Sequence, residues 1–109
     1  MPAGGEGEAA SFYVDVLGFE EITKPEMMRA SGGIWFRSGP VELHLGVEAD
    51  FRAAHKAHPA LRVDDLDAFA RRCEAAAVAI EWDTRYPGVR RFYLHDPFGN
   101  RVELLQPDS

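Results

Sequence analysis

Two glutamates lie in strand-like segments where a charged side chain is unexpected. Glu103 stands between Val102 and Leu104, and Glu42 occupies a similar apolar run at residues 41–45. A carboxylate buried in apolar surroundings is costly unless it is paired with a cation or bound to a metal. Each glutamate is therefore either an exposed residue of an edge strand or a group with a chemical role.

Two histidines could act together with these glutamates. His44 is two residues from Glu42 and so shares its face of the strand, whereas His58 begins another β-prone segment. Glutamate and histidine side chains that converge in one cleft suit a divalent first-row metal with open coordination positions. We expect His44 to hydrogen-bond a metal ligand or to contact a substrate.

Basic and aromatic side chains are expected on the same face as the glutamates. Strand alternation assigns to this face Trp35, Arg37, Arg62, Arg91 and Tyr93. Guanidinium groups match the geometry of carboxylates and phosphates, which indicates a small anionic substrate. The pattern leaves a second interpretation open, in which the arginines neutralise the two glutamates in salt bridges.

The elements that carry these residues occur twice. Val-Glu-Leu around Glu42 recurs around Glu103, and each copy follows another strand, a turn and an amphipathic helix. The helices contain Phe12 and Phe69. A repeat of about sixty residues in a chain of this length predicts two copies of one supersecondary unit.

Hydrophobic periodicity and turn residues give the order of elements. The first copy is predicted to contain a helix at residues 6–17, a strand at 19–23, a loop at 24–33, and hairpin strands at 34–37 and 41–47. The second copy is predicted to contain a strand at 58–63, a helix capped by Asp64, a strand at 78–82, and a final hairpin whose turn is residues 96–100.

Composition restricts the class of protein. The 109 residues carry a formal net charge of −6, which argues against nucleic-acid binding because that function needs a basic footprint. No apolar run approaches the length of a membrane span, and no secretory signal pattern is present. A single cysteine, Cys73, excludes an internal disulfide and suits a reducing, cytoplasmic environment.

The ordered motifs resemble the glyoxalase/bleomycin-resistance/dioxygenase superfamily, also called vicinal oxygen chelate. They are Phe-Tyr followed by Val-Leu-Gly-Phe at residues 12–19, Val-Glu-Leu at 41–43, His58 ahead of Val-Asp-Asp-Leu at 63–66, and Asp-Pro-Phe-Gly-Asn-Arg-Val-Glu-Leu at 96–104. The resemblance implies an α+β fold of two βαβββ modules with a curved, mostly antiparallel sheet. It implies one domain, with module one at residues 1–48, a linker at 49–57 and module two at 58–109.

The resemblance also implies roles for particular residues. The metal ligands would be Glu42, His58 and Glu103, and the metal would be Zn, Ni, Mn or Fe, unless this chain lacks one. Glu103 and Glu42 would be the catalytic residues. The residues expected to bind substrate are Trp35, Arg37, His44, Arg62, Arg91 and Tyr93.

One departure from the family pattern affects these expectations. The family's first strand, which carries a ligand, should precede the first helix, where this sequence has only residues 1–5. We therefore expect the first module to lack that strand, with the true start of the protein lying upstream as an alternative. Loss of the strand is expected to uncover Phe12 and Val16 of the first helix.

Two functions remain open from the sequence. One is a metal-dependent lyase, isomerase or dioxygenase that acts on a small anionic substrate. The other is a metal-free protein that binds a drug or metabolite. In either case we expect a homodimer, because a curved sheet would leave Trp35 and Tyr93 exposed on its concave face.

Overall fold

The computed structural model describes residues 1–108 and shows an α+β fold with seven strands. The chain divides into two compact units, Met1–Ala53 and Ala54–Ser109. The helices are α1 (Glu6–Ala10), a π-helical segment (Ser11–Val16), α2 (Glu26–Arg29) and α3 (Leu66–Ala75). The strands are β1 (Glu20–Ile22), β2 (Ile34–Ser38), β3 (Val41–Leu45), β4 (Ala60–Arg62), β5 (Glu81–Asp83), β6 (Val89–His95) and β7 (Arg101–Pro107).

The first unit contains a three-stranded antiparallel sheet in the order β1-β2-β3. Phe36 on β2 is fully buried, and the aromatic rings of Tyr13 and Phe19 pack against it. Phe12 is also buried, with an edge-to-face contact to Tyr13 at 4.9 Å. The expectation that Phe12 would be uncovered is therefore wrong, because the aromatic cluster of this unit encloses it.

The second unit contains a four-stranded sheet in the order β4-β7-β6-β5. Its β4–β7 pair is parallel and its other pairs are antiparallel. Fully buried Leu66, Phe92 and Leu104 form part of its core, between α3 and the sheet. The prediction of a mostly antiparallel fold whose first module has one strand fewer is confirmed.

The edge of β3 shows where the two sheets differ. β7 pairs with β4 on one side and β6 on the other, whereas β3, the equivalent strand of the first sheet, pairs only with β2. Beyond the end of β3, the Met1 amino group donates to the carbonyl oxygen of Gly46 at 2.8 Å. The Met1 carbonyl oxygen accepts from the N–H of Glu48 at 3.0 Å, which completes the pattern of a parallel bridge.

Several local details differ from the sequence predictions. The first helix has the expected extent, but residues 11–16 are π-helical, with the N–H of Leu17 bonded to the carbonyl of Phe12. Asp65, not Asp64, caps α3, since its side chain accepts from the N–H of Ala68.

Two further segments differ from their predicted secondary structure. The loop predicted at residues 24–33 contains the short helix α2. The strand predicted at residues 78–82 instead covers Glu81–Asp83. None of the helices within residues 1–108 has both the length and the apolar character needed to cross a bilayer.

Candidate functional site

The strand register of the second unit places its charged residues on one face of the sheet. Glu103 on β7 lies opposite Tyr93 on β6 and Ala60 on β4. In the next row, Arg91 on β6 lies opposite Leu105 on β7 and Asp83 on β5. The opposite face carries Leu61, Leu104 and Phe92, which alternate with these residues along the strands.

Glu103 and His58 are in direct contact. Oε1 of Glu103 lies 2.9 Å from Nε2 of His58, and the Glu103 side chain is only 4% exposed. Glu103 and Asp96 are the two buried charged residues among those described. Of the two interpretations of Glu103, the exposed residue of an edge strand is therefore excluded, because β7 lies inside its sheet.

The hydrogen bond of the other ring nitrogen of His58, Nδ1, determines whether Nε2 is a donor or an acceptor toward Glu103. Nδ1 of His58 is 2.7 Å from the backbone carbonyl oxygen of Lys56, which can only accept, so Nδ1 carries a hydrogen. In neutral imidazole, Nε2 is then an acceptor that faces the carboxylate of Glu103, which is also an acceptor when ionised. Two facing acceptors need a shared cation, which is either a proton or a metal ion.

Arg91 occupies the second oxygen of Glu103. Its Nη1 donates to Oε2 of Glu103 at 3.2 Å, and its Nη2 donates to Oδ1 of Asp83 at 3.3 Å. The side chain is 15% exposed, and its guanidinium carbon lies 5.3 Å from the ring centres of both Tyr86 and Tyr93. Both terminal nitrogens of Arg91 are thus committed to carboxylates of its own unit.

Asp83 is held by a second arginine. Arg85 donates to Asp83 through its side chain and its backbone N–H, with Nη2 only 2.6 Å from Oδ2. These hydrogen bonds, together with the one from Arg91, hold the pKa of the Asp83 carboxyl well below its usual range. Asp83 therefore stays ionised beside Arg91 at any pH near neutrality.

Tyr93 lies among the charged groups rather than on an open surface. Its ring makes an edge contact with the His58 ring at 5.5 Å, and the guanidinium of Arg101 lies 3.8 Å from its centre. Tyr93 is buried, so the expectation of an exposed aromatic ring is wrong at this position. Arg62, by contrast, is exposed on β4, on the face that carries Glu103.

The predicted residues of the first unit form a separate cluster on their own sheet. The imidazole of His44 stacks on the indole of Trp35 at 3.6 Å, with the ring planes 3° apart. Nε2 of His44 lies 3.1 Å from Oε1 of Glu42, and both side chains are about half exposed. Glu42 also lies opposite Arg37, which is exposed.

The two glutamates are equivalent by register but not by surroundings. Each lies in the strand that comes last in the chain order of its unit, with Glu42 opposite Arg37 and Glu103 opposite Tyr93. In the next row along, Trp35 and Arg91 take corresponding places, opposite His44 and Leu105. The second unit thus places an arginine where the first places an aromatic ring.

Of the three predicted ligands, the second unit joins His58 and Glu103. Across residues 1–108, no group of three or more His, Cys, Asp or Glu side chains is arranged to hold a metal ion. Asp83 was not among the predicted site residues, because the strand that carries it was predicted to end at residue 82. Arg101, Tyr86 and the Lys56 carbonyl were not predicted either, because their roles depend on contacts across the fold.

Comparisons with known proteins agree with this architecture. Residues 7–104 match the model of the Glyoxalase/Bleomycin resistance protein/Dioxygenase superfamily. The chain therefore belongs to this superfamily. None of the curated proteins compared is similar enough in sequence to count as a match.

Solved structures include related folds with different described activities. A glyoxalase family protein from Bacillus anthracis is 42% identical, with a TM-score of 0.97 over 99% of this chain and 88% of that one. Lactoylglutathione lyase from Agrobacterium tumefaciens is 28% identical, with a TM-score of 0.73 over 97% of this chain and 88% of that one. TnmS3, an antibiotic binding protein from Streptomyces sp. CB03234, is 25% identical, with a TM-score of 0.74 over 99% and 91%.

Proposed function

We propose that this protein is a divalent-metal-dependent enzyme that acts on a small anionic substrate, with His58 and Glu103 as metal ligands. The observation that carries the proposal is the contact between His58 Nε2 and Glu103 Oε1 at 2.9 Å. Protein ligands bind such metals at roughly 2.0–2.2 Å, so two adjacent donors on one ion lie about 3 Å apart. The observed separation fits this requirement.

The surroundings of His58 also suit a metal ligand. A ligating histidine usually donates its other ring N–H to a carbonyl or carboxylate, which fixes the tautomer and the ring orientation. Nδ1 of His58 has this partner in the carbonyl oxygen of Lys56. The chemistry that a bound metal supplies is Lewis-acid stabilisation of negative charge on a substrate oxygen.

Other residues of the chain would bind and orient the substrate. Arg62 is exposed on the face of Glu103 and suits the anionic group of a substrate. Glu42, the counterpart of Glu103 in the first unit, stays a prediction as a metal ligand or a general base. The reaction would be that of a lyase, an isomerase or a dioxygenase.

A second candidate function is metal-free binding of a small molecule, and one observation favours it. Arg91 already neutralises one oxygen of Glu103, and a proton on His58 would satisfy the other as an ion pair. In that arrangement Glu103, His58 and Arg91 only stabilise the fold, and the exposed faces of the sheets bind the ligand. The related TnmS3 is an antibiotic binding protein.

Metal titration distinguishes the two functions. The purified protein would be titrated calorimetrically with Zn²⁺, Ni²⁺, Mn²⁺ and Fe²⁺, and its metal content measured by mass spectrometry. We expect binding that is lost in His58→Ala and weakened in Glu103→Gln. His95→Ala is the matched control, because His95 is an exposed histidine at the end of β6. A wild-type protein that binds none of these metals supports the metal-free function instead.

We also propose that the protein is a homodimer. The β3 edge is open among residues 1–108, and half-exposed Val41 lies at the start of this strand. Open strand edges favour pairing with another chain. Light scattering at micromolar concentration would test the prediction, and a monomer at that concentration would contradict it.

A further inference from the structure

Arg91 and His58 are the two basic side chains within hydrogen-bond distance of Glu103 among the described residues. Arg91 is anchored from several directions, since Asp83 accepts from its other terminal nitrogen and the rings of Tyr86 and Tyr93 lie beside its guanidinium. Its Nε is buried without a hydrogen-bond partner. Most of its side chain is thus removed from solvent, which makes it a poor substrate clamp.

The two oxygens of Glu103 consequently have different surroundings. Oε2 accepts from Nη1 of Arg91, whereas Oε1 faces Nε2 of His58. An oxygen that accepts a charge-assisted hydrogen bond is less available to a second cation. Only Oε1 is therefore directed toward the position that a ligand shared with His58 would occupy.

We propose that Arg91 is a positioning residue that reserves Oε2 of Glu103 and so limits this carboxylate to one donor oxygen, with Asp83 holding Arg91 in place. The inference rests on the proposed metal site and adds a prediction about how strongly that site binds. A guanidinium at hydrogen-bond distance from a ligand oxygen repels an approaching dication. Arg91 should thus hold the metal affinity down while it fixes the orientation of the ligand.

Asp83 fixes the side chain of Arg91 beside Glu103. It lies directly opposite Arg91 in the register of β5 and β6, and Arg85 keeps its carboxylate in position from the other side. Burial is the largest single influence on the pKa of Arg91 and would lower it, but hydrogen bonds to Glu103 and Asp83 outweigh burial and raise it. Arg91 therefore remains a fixed positive charge between two carboxylates.

The sign of the effect of Arg91→Gln on metal binding tests the proposal. If Arg91 only supports the structure, its removal should loosen the site and weaken binding. If Arg91 reserves Oε2, its removal should free a second donor oxygen and remove the repulsion. We expect Zn²⁺ and Co²⁺ to bind at least about tenfold more tightly to Arg91→Gln, which is a change of about 1.4 kcal/mol.

The visible spectrum of bound Co²⁺ gives a readout that does not depend on activity. We expect it to change in Arg91→Gln because the number of oxygen donors rises. Arg91→Lys, which keeps the positive charge, should stay close to wild type. Arg90→Gln is the matched control, since Arg90 is the next residue of β6 and pairs with Asp67 rather than Glu103.

A double variant covers the case in which Arg91→Gln does not fold. Asp83→Asn combined with Arg91→Gln removes the carboxylate that Arg91 leaves behind together with the arginine, and the same tightening and spectral change are expected. Weaker or unchanged metal binding in both Arg91→Gln variants, with wild-type binding intact, overturns the role of Arg91 alone. Absence of metal binding by the wild-type protein overturns the role of Arg91 together with the proposed enzyme.

Discussion

Glu42 and Glu103 occupy the same place in the repeat, yet their side chains are 50% and 4% exposed. The difference follows from the strands that carry them. β7 is flanked on both sides within its sheet, whereas β3 is an edge strand. A burial difference of this size changes what the same residue type contributes, because an ionised group costs little in water and much in a protein interior.

This difference predicts unequal effects of one substitution. Glu103→Gln should lower the free energy of unfolding by about 3 kcal/mol, since it leaves Arg91 with one carboxylate partner in a largely buried position. Glu42→Gln should change the free energy of unfolding by less than about 0.5 kcal/mol, as is usual for exposed residues. Urea denaturation of both variants would measure the contrast. Equal losses would mean that burial does not determine how much each glutamate contributes to stability.

Glu6 provides a pH-dependent prediction at the residue scale. Hydrogen bonds from its own backbone N–H and from that of Gly33 hold the pKa of the Glu6 carboxyl below its ordinary value of 4.5. The ionised form is thus stabilised by folding, so this contribution is present above pH 4.5 and is lost as pH falls through the folded pKa.

The variant Glu6→Gln isolates that contribution. It should be less stable than wild type at pH 7 by up to about 1 kcal/mol, the usual scale for a carboxylate at a helix start. The gap should close as the pH is lowered below 4.5. Glu8→Gln, in the same helix turn, is the control. A gap that persists unchanged at low pH would show that the charge of Glu6 is not what stabilises the fold.

At the scale of elements, the β2–β3 hairpin depends on a close backbone approach. Gly33 has a φ of +88°, and a Cβ at this position would lie 2.3 Å from the carbonyl oxygen of Leu45. Real Cβ atoms cannot come this close, so a substitution must shift one of the strands. Gly39, in the hairpin turn, has a φ of +56° but open space around its Cβ position.

These two glycines form a matched pair for mutation. Gly33→Ala should destabilise the protein by about 3 kcal/mol, since it adds a steric clash to the strain of a positive φ. Gly39→Ala should cost about 1 kcal/mol, because only the strain applies. Thermal or urea unfolding would compare them. Similar losses at both positions would mean that the backbone at Gly33 relaxes without disturbing β3.

Elements with a clear period could be predicted from sequence, and those fixed by local geometry could not. The alternation of residues 41–45 and 102–106 located β3 and β7, because burial of one sheet face imposes that period. The π-helical turn at Ser11–Val16 leaves no comparable pattern in the sequence, since the spacing of apolar residues shows only which side of a helix faces the core. Asp64 and Asp65 are equally good capping residues by type, and only the backbone conformation selects Asp65.

The candidate site shows the same division. Strand alternation identified Glu103 and Arg91, and the resemblance assigned His58 the role of a metal ligand. Asp83 was not found because the strand was predicted to end at residue 82, one residue before it. Its partnership with Arg91 depends on the register of β5 against β6, which is set by tertiary pairing rather than by local sequence.

At the scale of the whole molecule, the proposed dimer can be tested through the open strand edge. Val41, at the start of β3, is 43% exposed, and β3 has no partner on its outer side among residues 1–108. A lysine on an edge strand discourages pairing because its charge would have to be buried against the incoming strand. Val41→Lys should therefore weaken self-association if the β3 edge lies at the dimer interface.

The matched control is Met27→Lys, which places the same charge on the most exposed large apolar side chain, in α2 rather than in the sheet. We expect light scattering over a dilution series to show a dimer for wild type and Met27→Lys, and a shift toward monomer for Val41→Lys. Circular dichroism would show whether each variant is folded. If Val41→Lys stays as dimeric as wild type while Met27→Lys dissociates, the interface involves α2, and the open edge of β3 does not pair with another chain.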